Sequence, residues 1–83
     1  MEQKIKQDIQ IGSTLRMLRV NQGLTQDQVA AKLQLKGIDI TRSIYSQMER
    51  GTYNIRISVL AALTEIYQTD YNTIFSDIKG LSK

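Results

Sequence analysis

The sequence predicts an all-α domain, a compact bundle of five helices, and three observations carry that reading. Apolar residues recur at three- and four-residue spacing, never in a sustained two-residue alternation. No proline occurs, and several of the glycines at 12, 23, 37, 51 and 80 fall between the helical patterns. Capping residues stand where most of those patterns begin. At 83 residues the chain has room for one core and not for two.

The first helix is read from Ile11, Leu15 and Leu18, one apolar stripe, with Asp8 placed to cap its start. Gly23 suits the left-handed residue that ends it, and Leu24 would fold back onto Leu18. Gly12, inside the helix, costs about 1 kcal/mol relative to alanine, and nothing in the sequence accounts for it.

The second helix has the clearest start. Thr25 and Gln28 form a capping box in which each side chain satisfies the other residue's backbone N–H, and Leu24 and Val29 form the matching hydrophobic staple. Asp27 suits the positive first turn, and Lys32 and Lys36 the negative end. Val29, Ala30 and Leu33 face inward, over a helix of about 26–34. A connector, Leu35–Ile40 with Gly37, leads to Thr41, which caps a third helix over 42–50, stapled by Ile40 against Tyr45 and ended by Gly51. A fourth helix carries Ile57, Leu60, Leu63 and Tyr67, and a short fifth begins near Asp70 with Ile74 and Phe75 inward. Ile55-Arg56-Ile57 is too short to count as a strand. Residues 1–8 and 77–83 read as flexible tails around a domain at 9–76.

Composition removes whole classes of function. With no cysteine and no histidine there are no disulfides, thiolate or imidazole metal ligands, cysteine nucleophiles or histidine acid–base catalysts. The carboxylates are scattered without a pairing pattern, and no phosphate loop occurs. No catalytic residue, metal or cofactor is therefore expected, and the chain reads as a non-enzyme. The longest apolar run, Val59–Leu63, is five residues, against the ~20 a membrane helix needs. No secretory signal opens the chain, so the expected location is cytoplasmic.

The net charge of +3 is unevenly spread. Residues 1–56 hold nine basic against five acidic residues, while residues 57–83 hold two against three. A positive bias on one part of a small domain suits a polyanion. The third helix sharpens this. At about 100° per residue, Tyr45 and Met48 share its inner face, while Ser43, Ser46, Gln47 and Arg50, with Arg42 at the edge, share the opposite one. That outer face is wholly polar and carries no acid.

Taken together, Gly23-Leu24-Thr25-Gln26, then Ala30 and Leu33, then Arg42-Ser43-Ile44-Tyr45-Ser46-Gln47-Met48-Glu49-Arg50-Gly51 resemble the phage-repressor and Cro-like helix-turn-helix family, also called the XRE family. The resemblance covers about residues 9–75. It implies a lambda-repressor-like five-helix bundle whose second and third helices bind double-stranded DNA, in transcriptional regulators. The connector between those helices is longer than in the common form of the family, a departure shared by a subgroup. By resemblance, Arg42, Ser43 and Gln47 read bases. Arginine forks onto guanine and glutamine onto adenine in the major groove. Thr25, Gln26, Lys36, Thr41, Ser46, Arg50, Asn54 and Arg56 take the phosphate-contacting roles, and Arg19 and Glu49 the structural ion pair between the first and third helices. So small a footprint implies a homodimer on paired half-sites, with Ile74, Phe75, Ile78 and Leu81 as candidate dimer surface. The alternative is a protein-interaction module or antitoxin-like partner that kept the fold and lost the DNA.

Overall fold

In the computed structural model, which describes residues 4–5 and 11–76, three of the five helices begin where a side chain satisfies a free backbone N–H. The helices are α1 (Ile11–Asn21), α2 (Gln26–Leu35), α3 (Arg42–Arg50), α4 (Ile57–Ile66) and α5 (Tyr71–Ser76). Before α2, the Thr25 hydroxyl accepts from the Gln28 N–H at 3.1 Å while Gln28 Oε1 accepts from the Thr25 N–H at 2.8 Å. Thr41 caps α3 by accepting from the Ile44 N–H at 3.1 Å, and Asp70 caps α5 by accepting from the Thr73 N–H at 2.8 Å. That bond to the Thr73 backbone holds the Asp70 carboxyl below its ordinary value. The expected cap at Asp8 lies outside the described residues, as do residues 1–3, 6–10 and 77–83.

Four helices end the same way. After α1 the Gly23 N–H reaches the Val20 carbonyl and the Leu24 N–H the Arg19 carbonyl, and the equivalent pair of bonds follows α2, α3 and α4. Such an ending needs one residue at positive φ. Glycine supplies it at 23, 37 and 51, but after α4 the residue is Gln68, at φ 55. A side chain there carries the steric penalty of the left-handed region.

The core draws on every helix: Ile11, Leu15, Val29, Leu33, Ile40, Tyr45, Met48, Ile55, Val59, Leu60, Leu63, Tyr67 and Ile74 are almost fully buried. Two details differ from the sequence reading. Ile57 is 38% exposed, because the first residue of α4 leaves a strand rather than continuing a stripe, and Val59, Leu60, Ala62 and Leu63 face inward instead. Ile74 is wholly buried, so it closes the core and offers no dimer surface.

A further difference, in kind, is a minimal sheet. β1 (Lys4–Ile5) pairs antiparallel with β2 (Ile55–Arg56), Lys4 opposite Arg56 and Ile5 opposite Ile55. The segment read as too short for a strand is one because Ile55 is buried and its backbone finds a partner in part of the stretch read as a loose end.

Gly12 also finds its reason here. A Cβ on it would lie 2.4 Å from the Glu49 carbonyl oxygen and 2.7 Å from that of Met48. The absence of a side chain lets α1 lie against the last turn of α3 at backbone contact.

Candidate nucleic-acid interface

The outer face of α3 is built by subtraction. Tyr45 and Met48 are buried, which turns Arg42, Ser43 and Arg50 fully outward and leaves Ser46 and Gln47 half-exposed. Arg50 Nη1 donates to the Ser46 hydroxyl at 3.2 Å, one helical turn back. Thr41 stands at the amino end of this face, its hydroxyl committed to the cap. The Gln47 carbonyl takes the Thr52 N–H at 3.0 Å, so its backbone anchors the following loop, while Gln47 itself is half-exposed. Asn54 is exposed in that loop, and Arg56 is half-buried on β2.

The amino end of α2 meets α3 through one carboxylate. Glu49 Oε2 accepts from Arg19 Nε at 2.6 Å, and Oε1 accepts from Arg19 Nη2 at 3.2 Å and from Gln26 Nε2 at 3.0 Å. The two charged side chains are only 13% and 4% exposed. Arg19 Nη1 donates to the Leu24 carbonyl at 3.0 Å, so each of the three guanidinium nitrogens is engaged within the protein. Burial pushes the Glu49 carboxyl up, but hydrogen bonds from Arg19, Tyr45 and Gln26 together hold it below the ordinary carboxylate value. The bond to Glu49 raises Arg19 against the opposing pull of burial. Beneath this pair the Tyr45 and Tyr67 hydroxyls are in contact, and burial, reinforced at Tyr45 by its tyrosine neighbour, pushes both phenols up. Both are neutral at any physiological pH.

Two placements could not be read from the sequence. Asp27, in the first turn of α2, brings Oδ1 to 3.7 Å from Arg42 Nε, with both side chains well exposed. An acid therefore borders the outer face of α3, contributed by the neighbouring helix. Lys36 stands apart from the other cations. It follows α2, roughly 15 Å along the helix axis from Gln26, and its ammonium donates to Glu65 Oε1 on α4 at 2.5 Å. That contact holds the exposed Glu65 carboxyl below its ordinary value.

The long connector is tied down. Gln34 Nε2 donates to the Ile40 carbonyl at 3.0 Å, Ile40 is buried, and Ile38 rests against the core. The inserted length folds back on the domain, and α3 keeps its contacts with both α1 and α2.

Residues 10–73, which run from α1 into α5, match a helix-turn-helix domain model. The chain belongs to the helix-turn-helix domain family. Neither the comparison with curated proteins nor that with solved structures gave a match. Helix-turn-helix domains are DNA-binding units whose second helix enters the major groove. Within the matched span, Glu49 on α3 is joined to α2 through Gln26. Among the described residues no cluster of three or more acids could hold a metal ion, and no helix is long and apolar enough to cross a membrane.

Proposed function

We propose that this helix-turn-helix domain is a sequence-specific regulator of transcription of the phage-repressor and Cro-like type, acting as a repressor by occupying an operator. The observation that carries this reading is the outer face of α3. A helix about 10–12 Å across enters a ~12 Å major groove, and the outer face of this one presents Arg42, Ser43, Ser46, Gln47 and Arg50 with no acid among them. Arg42, Ser43 and Gln47 read base edges. Thr25, Gln26, Thr41, Ser46, Arg50, Asn54 and Arg56 grip the phosphates on either side, with α2's amino terminus adding backbone donors. Lys36, held on α4 by Glu65, is the least suited of the proposed phosphate contacts. A homodimer on paired half-sites supplies the specificity that one such domain lacks.

The test is selection of sites from a random duplex pool, followed by salt titration of a winning duplex. An enriched motif with two related half-sites and a steep salt dependence is the expected result. Gln47→Ala then relaxes preference at one position, costing about 1–3 kcal/mol there. Arg50→Ala weakens all duplexes alike and lowers the salt slope by about 1. No enrichment over bulk DNA would overturn the reading in favour of a protein-interaction module.

A further inference from the structure

The two arginines on the outer face of α3 have different neighbours. Arg50 Nη1 bonds to the neutral Ser46 hydroxyl, whereas Arg42 Nε lies 3.7 Å from Asp27 Oδ1 on α2. That separation makes an ion pair and is too long for a hydrogen bond. The side chains are 63% and 78% exposed, so the pair adds little to stability in water. Its place in the fold is nonetheless fixed. Asp27 lies inside the capping box of Thr25 and Gln28, and it follows Gln26, whose bond to Glu49 ties the amino end of α2 to α3.

An acid on a DNA-facing surface lowers affinity for every duplex, because it opposes phosphate. Its use lies in discrimination, which is a difference of affinities. An arginine in the major groove has two outlets. It can fork onto guanine O6 and N7, or it can swing to the nearest phosphate, which carries no sequence information. Asp27 acts differently on the two. Its carboxylate faces Nε of Arg42, which leaves the terminal nitrogens Nη1 and Nη2 for O6 and N7. A swing to phosphate breaks the pair and leaves the Asp27 carboxylate uncompensated beside the DNA backbone.

We infer that Asp27 is a specificity-determining residue for DNA binding: it holds Arg42 to base reading by making the escape of Arg42 to phosphate unfavourable. The inference rests on the proposed base-reading role of Arg42. It also separates the two arginines by task. Arg42 is compensated by an acid and suited to bases, and Arg50 is left with its full charge for phosphate.

The test uses the full chain and the duplexes that site selection enriches. Arg42→Ala marks the base position that Arg42 reads. Asp27→Asn then removes the charge and keeps the shape, and Asp27→Glu keeps the charge. Asp27→Asn is expected to reduce discrimination at the marked position about threefold, the worth of an exposed ion pair. Binding to random-sequence duplex should tighten at the same time, with a salt slope steeper by up to about 1. Asp27→Glu should retain most of the discrimination. In an Arg42→Ala background, Asp27→Asn should tighten all duplexes alike and leave base preference unchanged. Unchanged or sharper discrimination in Asp27→Asn would overturn the role, because the acid would then serve α2 alone or compete with DNA for Arg42. An equal change of preference in both backgrounds would overturn it as well, since Asp27 would then act without Arg42. If the unaltered protein enriches no motif, the DNA reading falls and takes this role with it. An enriched motif whose Arg42 position ignores Asp27→Asn overturns the role alone.

Discussion

Two ion pairs of nearly the same length sit in different worlds. Arg19–Glu49 closes to 2.6 Å between side chains 13% and 4% exposed, and Lys36–Glu65 to 2.5 Å between side chains 37% and 71% exposed. Distance alone would rank them equal. The difference lies in what else each carboxylate meets. Glu49 is out of water and ties α3 to α1 through Arg19 and to α2 through Gln26. Glu65 has one cation and the solvent. Burial makes the first pair costly to assemble and far costlier to break, because the surviving partner is left charged and dry. An exposed pair exchanges one good solvation for another and leaves little behind.

The largest effect expected is therefore Glu49→Ala. It strands the Arg19 guanidinium, with its other bond on the Leu24 carbonyl, and leaves the Gln26 amide without its acceptor. We expect a loss of about 3–5 kcal/mol in urea unfolding, enough to unfold much of a marginally stable domain of this size. A loss below that seen for an ordinary surface substitution would show that water reaches the site and that the two pairs are alike after all.

Next comes Gly12→Ala, which attacks the buried pair from behind. The new Cβ would lie 2.4 Å from the Glu49 carbonyl oxygen, so α1 and the last turn of α3 must separate. A gain of up to about 1 kcal/mol is normal for replacing glycine inside a helix. Here we expect instead a loss of about 1–3 kcal/mol from overpacking, with weaker duplex binding because α3 is displaced. A stabilised Gly12→Ala protein would show that the close approach is not needed.

These cases also mark what the sequence makes legible. Thr25 with Gln28, Thr41, Gly23 and Gly51 act on backbone groups a few residues away, so helix order and most boundaries follow from local spacing. Which residues share the outer face of α3 follows from helical periodicity for the same reason. What a residue meets across the fold does not follow. Gly12 reads as a defect until α3 is laid against it. Tyr45 and Tyr67 read as apolar core, and their hydroxyls say nothing about each other. Asp27 looks like a dipole-stabilising acid on α2 and turns out also to border Arg42. Ile55–Arg56 carries too little pattern for a strand, because half of the pairing comes from Lys4–Ile5 near the other end of the domain.

Acid sharpens the comparison more gently. The folded protein holds Glu49 below its ordinary value despite burial. It therefore binds protons less readily than the unfolded chain, and the stability this confers is fully present above the ordinary glutamate range. It is lost as pH falls through the depressed folded value. We expect the urea midpoint to decline as pH drops below about 4.3, the ordinary glutamate value. Glu49→Gln should remove part of that slope, and Glu65→Gln, whose pair is screened by solvent, should remove less of it. Equal flattening by the two variants would mean that exposure does not separate the pairs.

The smallest effect belongs to Lys36→Ala. Its ammonium leaves Glu65 in a fully solvated position, where water replaces the lost partner, and α2 still ends on the bonds of Gly37 and Ile38 to the helix carbonyls. Salt separates this pair from the buried one. At about 1 M salt the screening length shrinks to about 3 Å in water, close to the separation of the exposed pair, so its already small contribution should weaken further there, while solvent ions do not enter around Glu49. We expect the unfolding midpoints of Lys36→Ala and the unaltered protein to agree within replicate scatter at high salt, and to differ only slightly at low salt. Because Lys36 points to α4 and away from α2's amino end, its loss should also leave the salt slope of duplex binding unchanged, in contrast to Arg50→Ala. A slope lower by about one would return Lys36 to the phosphate contacts and show that its pairing with Glu65 opens when DNA arrives.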